Sequence, residues 1–321
     1  MKEALMAFDT EHDVIYQFLA PKKVSDRLRC GVGDDAAVLY ASDHQRVYSV
    51  DCLVEGTHFL PGASAEDIAY KAYAVALSDL AAMGATPESV MISLTTPSID
   101  KAWVEAFAKG SEAARLEYQV DLIGGNLSKG PLAVHCCVHG SIPNHTAPLC
   151  QTGMQVGDDC YLTKPLGGAA YALEEMKKAR VSVQLHEVFW RPKAQVAWGV
   201  ALRGIATSCV DISDGLYIDL HRLCIKNHCG LRLSLKDIPI HPSIPSSKDL
   251  MKYALYGGED YPLFFTASRG HRESLLSLAK RNQWSLFRIG YVTEKEGVDI
   301  VDTSKYDIDV HLNMWEHFNE N

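Results

Sequence analysis

Residues 46–54 read RVYSVDCLV and residues 64–84 read SAEDIAYKAYAVALSDLAAMG, and these two neighbouring stretches decide the fold class. In the first, apolar and polar residues alternate, and a period of two is that of a strand, so Val47, Ser49, Asp51 and Leu53 share one face. In the second, Ser64 with Asp67 forms a capping-box pattern, and Ile68, Ala72, Val75, Ala76, Leu80 and Met83 follow at helical spacing up to Gly84. Pro87 reinforces that stop. Strand and helix thus follow one another within forty residues, the signature of an α/β chain.

The same alternation runs outward in both directions. Thr10 to Leu19 reads as a short capped helix ending before Pro21, and Gly31 to Asp35 as a turn. Strands are expected at Val90–Thr95, at Val120–Ile123 ending in Gly124 and Gly125, and at Leu132–Val138, with a helix over Trp103–Leu116. Ser141–Gly157 has no period and holds two prolines and two glycines, which predicts a domain boundary and domains of 1–148 and 149–321. The second half predicts strands at Cys160–Thr163, Ser208–Ile212, Leu231–Leu233, Tyr261–Thr266, Leu286–Tyr291 and Val298–Val301. Helices are expected after Gly168, over Lys193–Ala206, through Leu216, Leu220 and Leu223, and near Arg272–Arg281.

Composition narrows the function. In 321 residues, Lys and Arg total 31 against 40 Asp and Glu, a net charge of −9. Nucleic acid and anionic membrane surfaces both need a basic face, so neither is an expected partner. Acids occupy the N-terminal stretch where a signal peptide would be basic and then apolar, no transmembrane run occurs, and a cytoplasmic protein is expected. Nine cysteines without a Cys-x-x-Cys pair read as reduced thiols.

The acids of interest stand at turns and element ends. Asp34 and Asp35 follow a Gly-x-Gly turn, which alone is most simply a solvated turn. Asp79 lies among Ala74–Leu80 close to the helix end, where the helix dipole opposes a negative charge. Asp51 interrupts an apolar strand, which disfavours Asp. A water-facing or hydrogen-bonded Asp would explain each singly; together they suit Mg²⁺, which takes a few carboxylates plus substrate phosphates. Asp211, Ser213, Asp214 and Gly215 stand where a strand runs into a helix, so carboxylates and helix-start amides converge there. An N-cap on that helix accounts for Asp214 but not Asp211. Gly257-Gly258-Glu259-Asp260 is either a turn or a loop that brings carboxylates to a ligand. His135, Cys137 and His139 on one strand face, and His221, Cys224, His228 and Cys229 on one helix, lack the paired spacings of a structural zinc site, so packing is the expected role. No Walker A sequence occurs, and Gly31-Val32-Gly33 lacks the third glycine of a dinucleotide fingerprint.

Read in order, Gly31-Val32-Gly33-Asp34-Asp35-Ala36, Ser49-Val50-Asp51 with Gly56-Thr57-His58-Phe59, and Ser78-Asp79-Leu80-Ala81-Ala82-Met83-Gly84-Ala85 resemble the thiamine-monophosphate kinase family. So do Leu122-Ile123-Gly124-Gly125, Asp211-Ile212-Ser213-Asp214-Gly215, Gly257-Gly258-Glu259-Asp260-Tyr261 and the closing Trp315-Glu316-His317-Phe318. The resemblance implies the two-domain fold of aminoimidazole ribonucleotide synthetase: an N-terminal mixed sheet with helices that forms a barrel in a homodimer, and a C-terminal α/β domain. By similarity, Asp34, Ser49, Asp51, Asp79, Asp211 and Asp214 correspond to Mg²⁺ ligands, several ions being implied. Gly125 and Ser213 correspond to ATP contacts. His58, Glu259 or Asp260, and Trp315, in place of a Tyr, correspond to the thiamine-phosphate site; an indole face can stack on thiamine's cationic ring.

Three positions depart from the pattern. Asn126 follows the glycine pair where a metal-binding Asp is common, which offers an amide oxygen to both metal and ATP. Val50 replaces a Thr among the metal ligands, which matters little if the main chain makes that contact. Gln151 falls where an ATP-contacting Arg is often found. The implied reaction transfers the γ-phosphoryl group of ATP to thiamine monophosphate, with Asp34, Asp51, Asp79 and Asp211 acting through bound Mg²⁺. The alternatives are a non-catalytic sensor of thiamine phosphate or nucleotide, suggested by Asn126 and Gln151, or another ATP-dependent member of the superfamily. A hydrogenase maturation factor would end in a reactive cysteine, and this chain ends His317-Phe318-Asn319-Glu320-Asn321.

Overall fold

Twelve strands and eight helices are interspersed along the described chain; the strand His44–Val54 shows the alternation of a strand with one covered face, whereas Asp159–Leu162 and Leu263–Ala267 are buried at every position. The structure is a computed structural model and describes residues 26–302 apart from 31, 33–35, 181, 247 and 248. The expected helix through Leu19, the Gly31–Asp35 turn with Asp34, and Trp315 lie outside the described residues. Two units divide the chain, one holding Thr86–Asn144 and the described residues up to Leu80, the other Ala81–Ala85 and the described residues from His145 on.

The first unit begins with a small antiparallel pair, β1 (Leu28–Cys30) and β2 (Val38–Leu39). β3 (His44–Val54), α1 (Ala65–Ala82), β4 (Thr86–Thr96), α2 (Lys101–Tyr118), β5 (Asp121–Lys129) and β6 (Ala133–Pro143) follow. The four longer strands form one mixed sheet in the order β3-β6-β4-β5, with β4 and β5 parallel and the other pairs antiparallel. A parallel pair needs a crossover, and α2 supplies it. Asp100 caps α2 through the Trp103 amide, and Gly110 lets it close on α1, since a Cβ there would lie 2.0 Å from the Glu66 carbonyl. α1 is buried around nearly its whole circumference, as expected of a helix apolar on all sides. It stops where Gly84 turns into left-handed backbone at φ 66°.

The second unit holds β7 (Asp159–Leu162), α3 (Gly168–Lys177), α4 (Val183–Trp190), α5 (Val196–Ala201), β8 (Ala206–Asp211), α6 (Leu216–Asn227) and β9 (Gly230–Ser234). α7 (Leu250–Tyr256), β10 (Leu263–Ala267), α8 (Arg272–Asn282), β11 (Phe287–Thr293) and β12 (Gly297–Val301) complete it. Its six-stranded sheet runs β12-β9-β11-β7-β10-β8, antiparallel except for β12 beside β9. Both faces are covered. Cys160, Leu162 and Phe264 pack with Leu216, Leu220 and Leu223 of α6, while Tyr161 and Phe265 pack with Trp198 of α5 and Leu275 of α8. Adjacent Phe264 and Phe265 point to opposite cores, and each adds about 2 kcal/mol by burial.

The α/β class and the mixed sheets match expectation, with local corrections. The strand expected over Val120–Ile123 is Asp121–Lys129: a register shift passes over Ile123, after which Gly124 and Gly125 pair with Met91 and Ile92 of β4. The single helix expected over Lys193–Ala206 is only α5, since Gly204 is left-handed at φ 74° and Ala206 already begins β8. α4, capped by Ser182, and α7, capped by Asp249, were not foreseen. No helix among the described residues is long and apolar enough to cross a membrane.

Candidate active site

In the first unit, β3 behaves as its alternation requires. Tyr48 and Val50 are 66% and 65% exposed, while Ser49 and Asp51 lie on the opposite, better covered face. That face meets α1: the Ser49 hydroxyl donates to Asp79 Oδ2 at 2.5 Å. Burial pushes the Asp79 carboxyl above the ordinary carboxylate range, partly opposed by the Ser49 hydrogen bond. Asp51 accepts from the amide of Cys52 at 2.9 Å. The side chain of Val50 is turned away from Ser49 and Asp51, so only its main chain can belong with them. Past the strand, His58 Nδ1 accepts from the Val54 amide at 3.0 Å, which places the proton of the neutral ring on Nε2.

Gly125 has a packing reason of its own. A Cβ there would sit 1.9 Å from the Ile92 carbonyl, so only glycine lets β5 close on β4. Asn126 is exposed on β5 and donates to Ser128 Oγ at 2.8 Å. His135, Cys137 and His139 do not form a cluster with metal-ligand reach. His139 is buried against Ser89, Glu88 and Arg46, whereas His135 is exposed, with Cys52 Sγ 3.6 Å from its Nε2. Among the described residues, no three His, Cys, Asp or Glu side chains are gathered to hold a metal. The cysteines with described side chains are free thiols, and Cys224 and Cys229 are packed in the second unit's core.

In the second unit, β8 and β10 bring two loops together. Beyond the paired strands, Ile212 N donates to Pro262 O at 3.0 Å, Tyr261 N to Ile212 O at 3.1 Å, and Glu259 N to Ser213 O at 2.8 Å. Asp211, Ser213, Asp214 and Glu259 therefore share one region, all partly covered. Gly258 makes the approach possible, because a Cβ there would lie 2.3 Å from the Ser213 carbonyl. The amides at the start of α6 already have an acceptor: Asp219 Oδ2 takes those of Ser213 (3.1 Å), Asp214 (3.1 Å) and Gly215 (3.3 Å). Asp214 is consequently not the cap. Its carboxylate pairs with Arg222 at 2.5 Å. Burial, with the nearby Asp214 charge, lifts the Asp219 carboxyl to about 6.

The two acids of the Gly-Gly-Glu-Asp loop do different things. Asp260 is 5% exposed, and its carboxylate accepts from the amides of Gly167 (2.5 Å) and Ala169 (2.9 Å). Burial raises its carboxyl to about 6. It is committed to the fold at the start of α3. Glu259 instead accepts from the Tyr261 hydroxyl at 3.2 Å beside Ser213. Gln151 is exposed, and its Oε1 accepts from Lys226 at 2.9 Å. Asp219 and Lys226 have no place in the sequence reading, and Tyr261 enters it only as the end of the Gly-Gly-Glu-Asp motif; an acid in a helix's first turn just after Ser-Asp-Gly is the available signal for Asp219.

Comparison with known proteins gives this arrangement a context. Residues 33–142 match the N-terminal domain, and residues 155–303 the C-terminal domain, of AIR synthase related protein. The thiamine-monophosphate kinase of Haemophilus influenzae is 35% identical over 297 residues, covering 89% of this chain and 90% of that protein. The crystal structure of thiamine-monophosphate kinase from Stenotrophomonas maltophilia superposes with a TM-score of 0.81 at 33% identity, over 86% of this chain and 92% of that one. AaThiL, solved in complex with AMPPCP and TMP, gives a TM-score of 0.74 at 26% identity, over 90% of this chain and 91% of that one. With likeness of that extent running through both AIR synthase related domains, the chain belongs to the thiamine-monophosphate kinase family.

Proposed function

We propose that this chain transfers the γ-phosphoryl group of ATP to the phosphate of thiamine monophosphate, giving thiamine diphosphate and ADP. The observation that carries this reading is the end-to-end likeness to thiamine-monophosphate kinases, together with the relative solved with AMPPCP and TMP. The acceptor is a phosphate oxygen already ionised near neutral pH, given a second pKa of about 6, so no general base is needed. The work left to the protein is alignment and neutralisation of charge.

The donor chemistry fits a hard cation. Asp79 is a half-buried carboxylate beside a hydroxyl, with a carboxylate two residues from that hydroxyl on the same strand face. Asp34, Ser49, the main chain of Val50, Asp51, Asp79, Asn126, Asp211 and Asp214 would hold Mg²⁺. Bound there, Mg²⁺ supplies positive charge against the phosphate oxygens of both substrates. Gly125, Asn126, Gln151 and Ser213 are assigned to ATP. His58, with its Nε2–H donor, Glu259 and Trp315 are assigned to thiamine phosphate. Asp260 supports that site from behind, because both its oxygens already accept backbone amides.

The domain assignment follows: 1–148 for ATP, metal and self-association, 149–321 completing the nucleotide and thiamine-phosphate site. The exposed apolar residues Tyr48, Val50 and Met91 on the first unit's sheet support a homodimer through that face. A cytoplasmic location accords with substrates of this kind. Incubation with ATP, Mg²⁺ and thiamine monophosphate, followed by chromatography, tests the reading: thiamine diphosphate is expected, and binding without product would support the sensor instead.

A further inference from the structure

Glu259 and Tyr261 both have left-handed backbone, at φ 73° and 53°. Elsewhere among the described residues, Gln119, His228 and Gln283 adopt it where they end helices, Ala179 just past the end of α3, and Asp302 just past β12. Here it occurs twice in three residues of a loop, once at an aromatic residue, where it persists only if the surroundings over-determine it. The residue between them supplies that determination. The Asp260 carboxylate is pinned by the Gly167 and Ala169 amides, and its carbonyl accepts from Lys164 Nζ at 2.6 Å. Lys164 is itself enclosed, and burial together with the Lys193 charge lowers its pKa despite Asp260. On either side, the Glu259 amide is held by Ser213 and the Tyr261 amide by Ile212, and the Tyr261 hydroxyl returns to Glu259. An ammonium and a carboxylate are thus spent on one peptide segment, and the partly exposed acid on that segment is Glu259.

We propose that Asp260 and Lys164 are positioning residues that hold Glu259 in the strained conformation in which it meets thiamine phosphate; this rests on the assignment of Glu259 to that substrate. Preorganising one carboxylate cuts the ordering cost of binding its ligand, so loss of the anchor raises KM for thiamine monophosphate more than it lowers kcat. The test uses the full chain with Glu259→Gln, Asp260→Asn and Lys164→Met, each checked for native circular dichroism. Expected is a rise in KM for thiamine monophosphate of about 10-fold in all three, with KM for ATP and kcat within about 2-fold. Lys164→Arg, which keeps the donor charge, is expected to recover part of the loss. Should Asp260→Asn fail to fold, Lys164→Met decides. A raised KM in Glu259→Gln with unchanged KM in Lys164→Met overturns the anchor while leaving the substrate assignment standing. An unchanged KM in Glu259→Gln overturns the substrate assignment and the anchor with it.

Discussion

Ser49 on β3 and Asp79 on α1 are joined by a 2.5 Å hydrogen bond, the hydroxyl donating to a carboxylate that burial has made reluctant to ionise. A negative charge near the end of a helix and removed from water costs stability that the Ser49 bond only partly returns. Asp79→Asn relieves that cost. The variant is expected to melt at or above the wild-type temperature, by up to about 1 kcal/mol, while turnover falls by about 100-fold or more. Calorimetry and a thiamine diphosphate assay on the same preparation measure both, and near-normal turnover would remove Asp79 from the metal site.

His139 predicts a pH effect on stability. Its Nε2 lies 3.2 Å from Arg46 Nη1 and must accept, so the ring is neutral with its proton on Nδ1, toward Ser89 at 3.1 Å. Burial lowers its pKa, with Arg46 and Arg27 adding to the effect and Glu88 opposing it. The folded chain therefore refuses a proton that the unfolded chain accepts near pH 6.5, and stability is lost as pH falls through that value. Urea denaturation at pH 7.5 and 5.5 should show a larger acid loss in wild type than in His139→Gln; equal losses would place the ring outside this linkage.

How much of this was legible in the sequence depends on what each residue's neighbours are. The shared face of Ser49 and Asp51 follows from a period of two, because strand alternation is local and the apolar partners Val47 and Leu53 advertise the covered side. The division of labour between Glu259 and Asp260 was not legible. Adjacent acids in a loop look alike, and which one turns inward is settled by backbone conformation and by amides about ninety residues earlier at Gly167 and Ala169. Asp219 was hidden for a related reason: on a helical wheel it is one more first-turn acid, and the positive φ of 134° at Gly215, a conformation open to glycine, lets three successive amides turn toward it.

Those three amides set the expected cost of losing their acceptor. Asp219→Ala leaves them without a side-chain partner in a half-buried loop, a penalty of about 1–3 kcal/mol. Asp219→Asn keeps one acceptor oxygen and no charge, and is expected to lose less. Chemical denaturation of both variants checks the order; Asp219→Asn being the less stable of the two would mean that charge, not hydrogen bonding, holds the loop.

Arg222 is the last lever on the same loop. It pairs with Asp214 at 2.5 Å and approaches Asp219 at 3.5 Å, so a guanidinium engages a carboxylate that the proposed function assigns to Mg²⁺. Two cations cannot both have full use of that carboxylate, and the exchange appears as a higher Mg²⁺ requirement. Arg222→Gln removes the guanidinium charge while keeping a polar side chain. The Mg²⁺ concentration for half-maximal thiamine diphosphate formation is expected to fall about 3-fold, the order of an exposed ion pair worth less than about 1 kcal/mol. Titrating Mg²⁺ at saturating ATP and thiamine monophosphate measures it. An increase instead would show that Arg222 holds Asp214 in the orientation the metal needs, so that the pair assists binding where competition was expected.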